Sequence, residues 1–160
     1  MRHTLSILVR NDAGVLSRVA GMFSGRGYNI ESLNVAPTLD PEVSNITLVT
    51  DGDDQIIEQI TKQLNKIISV IAVTDENENP KGFVNREMAM LKVFPQAEQR
   101  AEVLRISEIF RGKIVHVDSQ SFVIEVSGSQ DKIQAMAKLL QPLGLRDLVR
   151  TGPLAMSRGN

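Results

Sequence analysis

Leu5-Ser6-Ile7-Leu8-Val9-Arg10-Asn11-Asp12-Ala13-Gly14-Val15-Leu16-Ser17-Arg18-Val19 changes its hydrophobic period halfway along. Leu5, Ile7 and Val9 alternate, which sets one face of a strand against a core. Val15, Leu16, Val19, Met22 and Phe23 recur at helical spacing, and Gly25-Arg26-Gly27 supplies the glycine expected just past a helix C-terminus. The chain therefore starts as strand, loop and helix, with Asn11-Asp12-Ala13-Gly14 as the joint.

Downstream of this unit, Ile30, Leu33 and Val35, then Val43, Ile46, Leu48 and Val49, predict two strands. Pro37-Thr38-Leu39-Asp40-Pro41 turns between them, so they form a hairpin. A second helix opens on Asp53 and Asp54, whose charges suit the positive end of a helix dipole. It is expected to bury Ile56, Ile57, Ile60, Leu64 and Ile67, with Lys62 and Lys66 toward its other end. Val70 to Val73 closes the unit. The order strand, helix, strand, strand, helix, strand is the ferredoxin-like α+β plan, an antiparallel sheet covered by two helices on one face, and residues 1–75 complete it once.

Asp75-Glu76-Asn77-Glu78-Asn79-Pro80-Lys81-Gly82 is polar and holds both Pro and Gly. It reads as a linker over 76–82 or as a solvated loop within one domain. The pattern then restarts over 83–160. Met88, Met90, Leu91 and Val93 make a strand, and Val103, Leu104, Ile106, Ile109 and Phe110 are the expected buried side of a helix. Ile114–Val117 and Phe122–Val126 form a hairpin, Ser129 caps a helix carrying Ile133, Met136, Ala137 and Leu140, and Leu145–Thr151 closes the second βαββαβ unit. Each half is small for a lone core, and a sheet covered on one side leaves its edges open. A homodimer through the first unit is expected.

Composition narrows the chemistry. The 160 residues carry 18 Lys plus Arg against 19 Asp plus Glu, 42% hydrophobic and 4% aromatic residues, and no cysteine. Disulfides, thiolate metal sites and cysteine nucleophiles are excluded, and His3 and His116 are the only imidazoles. Metal or hydrolase chemistry has little to build on. A net charge of -1 with interspersed signs, one tyrosine and no tryptophan offers nucleic acid neither a basic face nor a stacking platform. The N-terminus runs straight into a strand and no long apolar span follows, so a cytoplasmic location with no membrane contact is expected.

Two readings of the loop at Asn11–Leu16 are open from its residues alone. Asn11 or Asp12 is an N-cap and Gly14 eases the turn, or free N–H groups at the helix start bind a carboxylate or phosphate, with Gly14 giving close access to the backbone. Asn29 begins the next strand after Arg26-Gly27-Tyr28 and can equally be a turn residue. Together these features suit an amino acid ligand. Backbone donors answer its carboxylate, Asn11 and Asn29 supply polar groups, and Val15, Leu16 and Ile30 provide apolar neighbours for an aliphatic side chain.

The run Asn11 to Leu33, Asn-x-x-Gly-Val-Leu-x-Arg-Val-x-x-x-Phe-x-x-Arg-Gly-Tyr-Asn-Ile-x-Ser-Leu, resembles the ACT-domain signature of the regulatory small subunits of acetolactate (acetohydroxyacid) synthase. Val35-Ala36-Pro37-Thr38, Glu108-Ile109-Phe110-Arg111-Gly112 and the ending Arg150 to Gly159 are similar to further stretches of that family. The two-domain length resembles its longer bacterial members, such as that of isozyme III. The resemblance implies a non-catalytic subunit that activates a catalytic large subunit and lets valine inhibit branched-chain amino acid synthesis. It places valine between two ACT domains, on Asn11 and the Ala13, Gly14, Val15 and Leu16 backbone of one copy, and on Asn29 and Ile30 of the other. It implies no cofactor on this chain, with thiamine diphosphate, Mg and FAD on the large subunit. Arg18, Arg26 and Glu31 are expected as solvated or intersubunit charges, and Arg150 and Arg158 as a solvated tail or a contact to that large subunit.

The same plan also hosts acylphosphatases and RNA-binding modules. The first would need an arginine in the first loop, where Asp12 stands and no arginine follows until Arg18. The second would need aromatic residues on the central strands.

Overall fold

The computed structural model describes residues 1–159 and divides into two units, Met1–Val84 together with the chain end from Leu154, and Asn85–Pro153. In the first, β1 (Arg2–Arg10) is followed by α1 (Val15–Gly25), β2 (Ile30–Pro37), β3 (Val43–Asp51), α2 (Asp54–Asn65) and β4 (Val70–Asp75). The strands form an antiparallel sheet in the order β2-β3-β1-β4. Leu5, Ile7 and Val9 are fully buried on one face, with Leu48 opposite Leu5 and Ile46 opposite Ile7. Val19 and Phe23 of α1, and Ile57, Ile60 and Leu64 of α2, close over them. Burying each such side chain contributes about 1.5 to 3 kcal/mol, so this face holds both helices in place.

The two helices begin differently. The Asp53 carboxylate accepts from the Ile56 N–H at 2.9 Å and caps α2, as the acidic start of that helix requires. α1 starts from Gly14, which sits at φ 80° with no side-chain cap. Leu16 shares the apolar stretch of α1 but is 37% exposed. It lies about 100° around the helix from the inward Val15.

The polar run after β4 belongs to the first unit. Asp75 Oδ1 accepts from the Asn77 N–H at 3.1 Å, and Asn77 Oδ1 accepts from the Thr4 N–H at 2.8 Å. These bonds shape Glu76–Glu78 into a 3-10 turn stitched to β1. Beside it, His3 Nδ1 and Asp75 Oδ2 form a buried 2.8 Å pair.

The second unit repeats the plan with β5 (Phe83–Val93), α3 (Arg100–Ile109), β6 (Lys113–Val117), β7 (Phe122–Gly128), α4 (Gln130–Leu140) and β8 (Leu145–Arg150), in the sheet order β6-β7-β5-β8. Its core gathers Leu91, Val93, Val103, Ile124, Ile133, Met136 and Leu140. Ser129 caps α4 by accepting from the Lys132 N–H at 3.2 Å. Leu104 and Ile109, expected inside, are 42% and 67% exposed, because α3 turns Val103, Ile106 and Ser107 inward instead. The β6–β7 turn is closed by Asp118, whose carboxyl is lowered to about 2, first by the N–H groups of Gln120 and Ser121. Arg150, expected in a solvated tail or subunit contact, pairs instead with the buried Glu87.

A last strand that the pattern did not announce, β9 (Leu154–Ser157), returns to the first unit. Ser157 Oγ donates to Glu76 Oε2 at 2.5 Å, and the Arg158 N–H donates to the Gly82 carbonyl at 3.0 Å.

Gly144 tests the second unit's packing. It sits at φ 99°, and a Cβ there would lie 2.2 Å from the Phe94 carbonyl oxygen. Gly144→Ala is expected to cost at least about 2 kcal/mol, read in a thermal melt as a Tm lowered by on the order of 10 °C. An unchanged Tm would contradict this packing.

Candidate functional site

The joint between β1 and α1 is fixed by its own side chains. The Asn11 N–H donates to the Glu42 carbonyl at 2.8 Å, and its Nδ2 donates to the Pro41 carbonyl at 2.7 Å. Its Oδ1 accepts from the Ser44 hydroxyl. Asp12 Oδ2 accepts from Ser69 Oγ at 2.6 Å. Neither residue caps the helix: Asn11 ties the loop to the β2–β3 turn, and Asp12 ties it to the segment leading into β4.

With Gly14 in the left-handed region, the start of α1 stays open. Val15 donates to the Asp12 carbonyl at 3.3 Å and Arg18 to the Gly14 carbonyl at 3.0 Å. The N–H groups of Ala13, Gly14, Leu16 and Ser17 have no acceptor among the described residues, and no acidic side chain occupies the first turn. Unsatisfied donors at the positive end of a helix dipole attract an anion. Beside them stand the buried Val15 and the half-exposed Leu16. Asn11 keeps one amide hydrogen and part of its carbonyl capacity uncommitted.

Asn29 and Ile30 lie elsewhere. The Asn29 carbonyl accepts from Thr50 Oγ1 at 2.6 Å, while its side chain is exposed and has no partner among the described residues. Ile30 pairs with Thr50, which pairs with His3. Asn11 follows Arg10, which pairs with Val43. From the His3 row to the Arg10 row is seven residues, or about 23 Å at ~3.3 Å per strand residue. One chain thus brings Asn11, Ala13, Gly14, Val15 and Leu16 together and holds Asn29 and Ile30 at the far end of the same sheet.

Long-range contacts supply what sequence spacing could not. Ser44 and the Pro41 and Glu42 carbonyls anchor the loop from across the sheet, and only the turn-rich stretch around Asp40 signalled that backbone carbonyls would gather there. Glu31, expected as a solvated or intersubunit charge, pairs with Arg2 Nε at 2.7 Å within the chain. Arg18 reaches Ser69 Oγ at 3.4 Å and the Ala13 carbonyl at 3.5 Å. Among the described residues no group of three or more His, Cys, Asp or Glu is placed to hold a metal ion.

Comparison with known proteins matches this architecture along the whole chain. Residues 5–72 match the family described as the AHAS small subunit-like ACT domain, and residues 86–159 match the small subunit of acetolactate synthase. The probable acetolactate synthase small subunit of Archaeoglobus fulgidus is 46% identical over 160 residues, covering 100% of this chain and 99% of the relative. The acetolactate synthase small subunit of Aquifex aeolicus is 46% identical over 158 residues, covering 98% of this chain and 81% of its own length. The crystal structure of the acetolactate synthase small subunit from Thermotoga maritima superposes with a TM-score of 0.91 at 39% identity, covering 100% and 99% of the two chains.

Two alanine variants separate scaffold from site. Asn11→Ala removes the bonds to Pro41 and Ser44 and is expected to cost about 1 to 2 kcal/mol in urea unfolding. Asn29→Ala removes an exposed side chain that makes no hydrogen bond among the described residues and should stay within about 0.5 kcal/mol of the parent. Equal losses in the two variants would contradict this division.

Proposed function

Because the chain belongs to the acetolactate synthase small-subunit family, we propose that it regulates its catalytic large subunit by binding valine between two copies of the first unit. The observation that carries this reading is the uncapped start of α1, where free N–H groups stand beside Val15 and Leu16. A valine carboxylate needs such donors, and its isopropyl group needs such a wall. Its ammonium needs an oxygen acceptor, which the unengaged Asn29 amide provides.

The sheet favours a site shared between copies. Among the described residues β2 pairs only with β3, so its outer edge is open. Two such edges meeting antiparallel would set the Ile30 end of one beside the Pro37 end of the other. Pro37 shares a cross-strand row with Ser44 and Val9, two residues before Asn11. Asn29 and Ile30 of one copy would thereby reach the Asn11–Leu16 loop of the other, and the same contact would shelter the edge.

Feedback then follows as linkage. A ligand bridging two copies favours one dimer geometry and inhibits through contacts with the large subunit that differ between states. A coupling of about 1 to 3 kcal/mol suffices for a 5- to 150-fold response. This chain carries out no reaction in that scheme, and thiamine diphosphate, Mg and FAD sit on the large subunit. We place the assembly in the cytoplasm; no helix among the described residues is long and apolar enough to cross a membrane.

Calorimetric titration of the dimer with valine, leucine and isoleucine tests the reading. Saturable binding of about one or two ligands per dimer, preferring valine, is expected. Gly14→Asp sets a carboxylate at the anion position; its Cβ meets nothing within 4 Å, and its left-handed backbone costs about 1 to 2 kcal/mol. That variant should stay folded and lose the valine response. Unchanged valine inhibition in it would overturn the site.

A further inference from the structure

The face of the first sheet turned away from the helices carries a groove of about 740 Å³. Leu8, Thr47, Ala72 and Thr74 form its floor, and β9 makes one wall. Its composition is one-sided. Among the described residues the lining includes no Lys, Arg or His, and Glu76 is the single charged residue in it. Glu76 is only 3% exposed; it accepts from Ser157 Oγ and has no cation within ion-pair distance among the described residues. A carboxylate withdrawn from water with one hydroxyl donor is under-compensated and favours a cationic partner.

The rim identifies the kind of partner. Leu39 is wholly exposed, and Leu154 and Met156 are 58% and 75% exposed, all three lining the groove. A small ammonium ligand on the floor would leave these side chains in water, whereas a protein segment would cover them. A second copy pairing at the β2 edge would extend the sheet sideways and leave this face open.

We infer that this groove receives an apolar segment of the catalytic large subunit carrying a lysine or arginine, with that cation on Glu76 and the apolar side chains on Leu39, Leu154 and Met156. The inference rests on the reading of the chain as the regulator of a large subunit. It assigns β9 a role at the contact, since Ser157 holds this wall against the acid that the cation meets.

The test measures association of the full chain with its purified large subunit at two salt concentrations, alongside calorimetric valine binding. Met156→Asp puts a charge on an exposed rim position and is expected to weaken association at least tenfold. Glu76→Gln keeps the shape and should weaken association while reducing its salt dependence. Both variants should bind valine as the parent does. Parental association by both variants would overturn the docking site while leaving the valine reading intact. Saturable binding of hexylamine that depends on Glu76, with association unaffected in both variants, would overturn it in favour of a small-molecule site. A parent chain that does not associate with the large subunit would overturn the docking site together with the reading beneath it.

Discussion

The register of β1 against β3 is the constraint on which the rest of the account depends. Nine cross-strand pairs, from Arg2 opposite Asp51 to Arg10 opposite Val43, lock the two central strands. A one-residue slip would turn Leu5, Ile7 and Val9 out of the core, so the hydrophobic face enforces this register. The same lock sets the distance between the loop at Asn11 and the strand start at Asn29. Fold and proposed site are therefore one problem: the core fixes the register, the register separates the two groups, and the proposal that one ligand meets both calls for a second chain.

Local structure agrees with that arrangement. A side chain satisfies the start of α2 and of α4, Asp53 and Ser129 respectively, and α3 carries Glu102 in its first turn. α1 has neither device, with a left-handed glycine in the capping place, no acidic residue in the first turn and the neighbouring Asn11 and Asp12 bonded elsewhere. Such a local departure is where function is to be looked for. Asn11 has a double part in this, since its bonds to Pro41 and Ser44 hold the loop in the shape that leaves the helix start open.

Much of this was legible in the residues. The alternation at Leu5, Ile7 and Val9, the caps at Asp53 and Ser129, and the repeated element order led directly to the two ferredoxin-like units, because each is a local signal of period or capping chemistry. For the Asn11–Leu16 loop, the N-cap reading was not the one the fold adopted, since Gly14 takes the capping place. What escaped depended on partners distant in sequence. Asn11 finds Ser44, Arg150 finds Glu87, and Ser157 finds Glu76 across 33, 63 and 81 residues respectively. Leu104 and Ile109 were misplaced for another reason: α3 is short, and its apolar residues spread wider than the stripe that fits the sheet.

The claim that each site is shared between two chains is tested most directly by a mixed dimer, one copy carrying Gly14→Asp and the other Asn29→Ala. A shared site gives this heterodimer one position with both halves intact, although each homodimer is defective at both. The purified heterodimer is expected to regain valine binding at one site per dimer with near-parental affinity. A heterodimer as unresponsive as either homodimer would contradict it and place the whole site within a single chain.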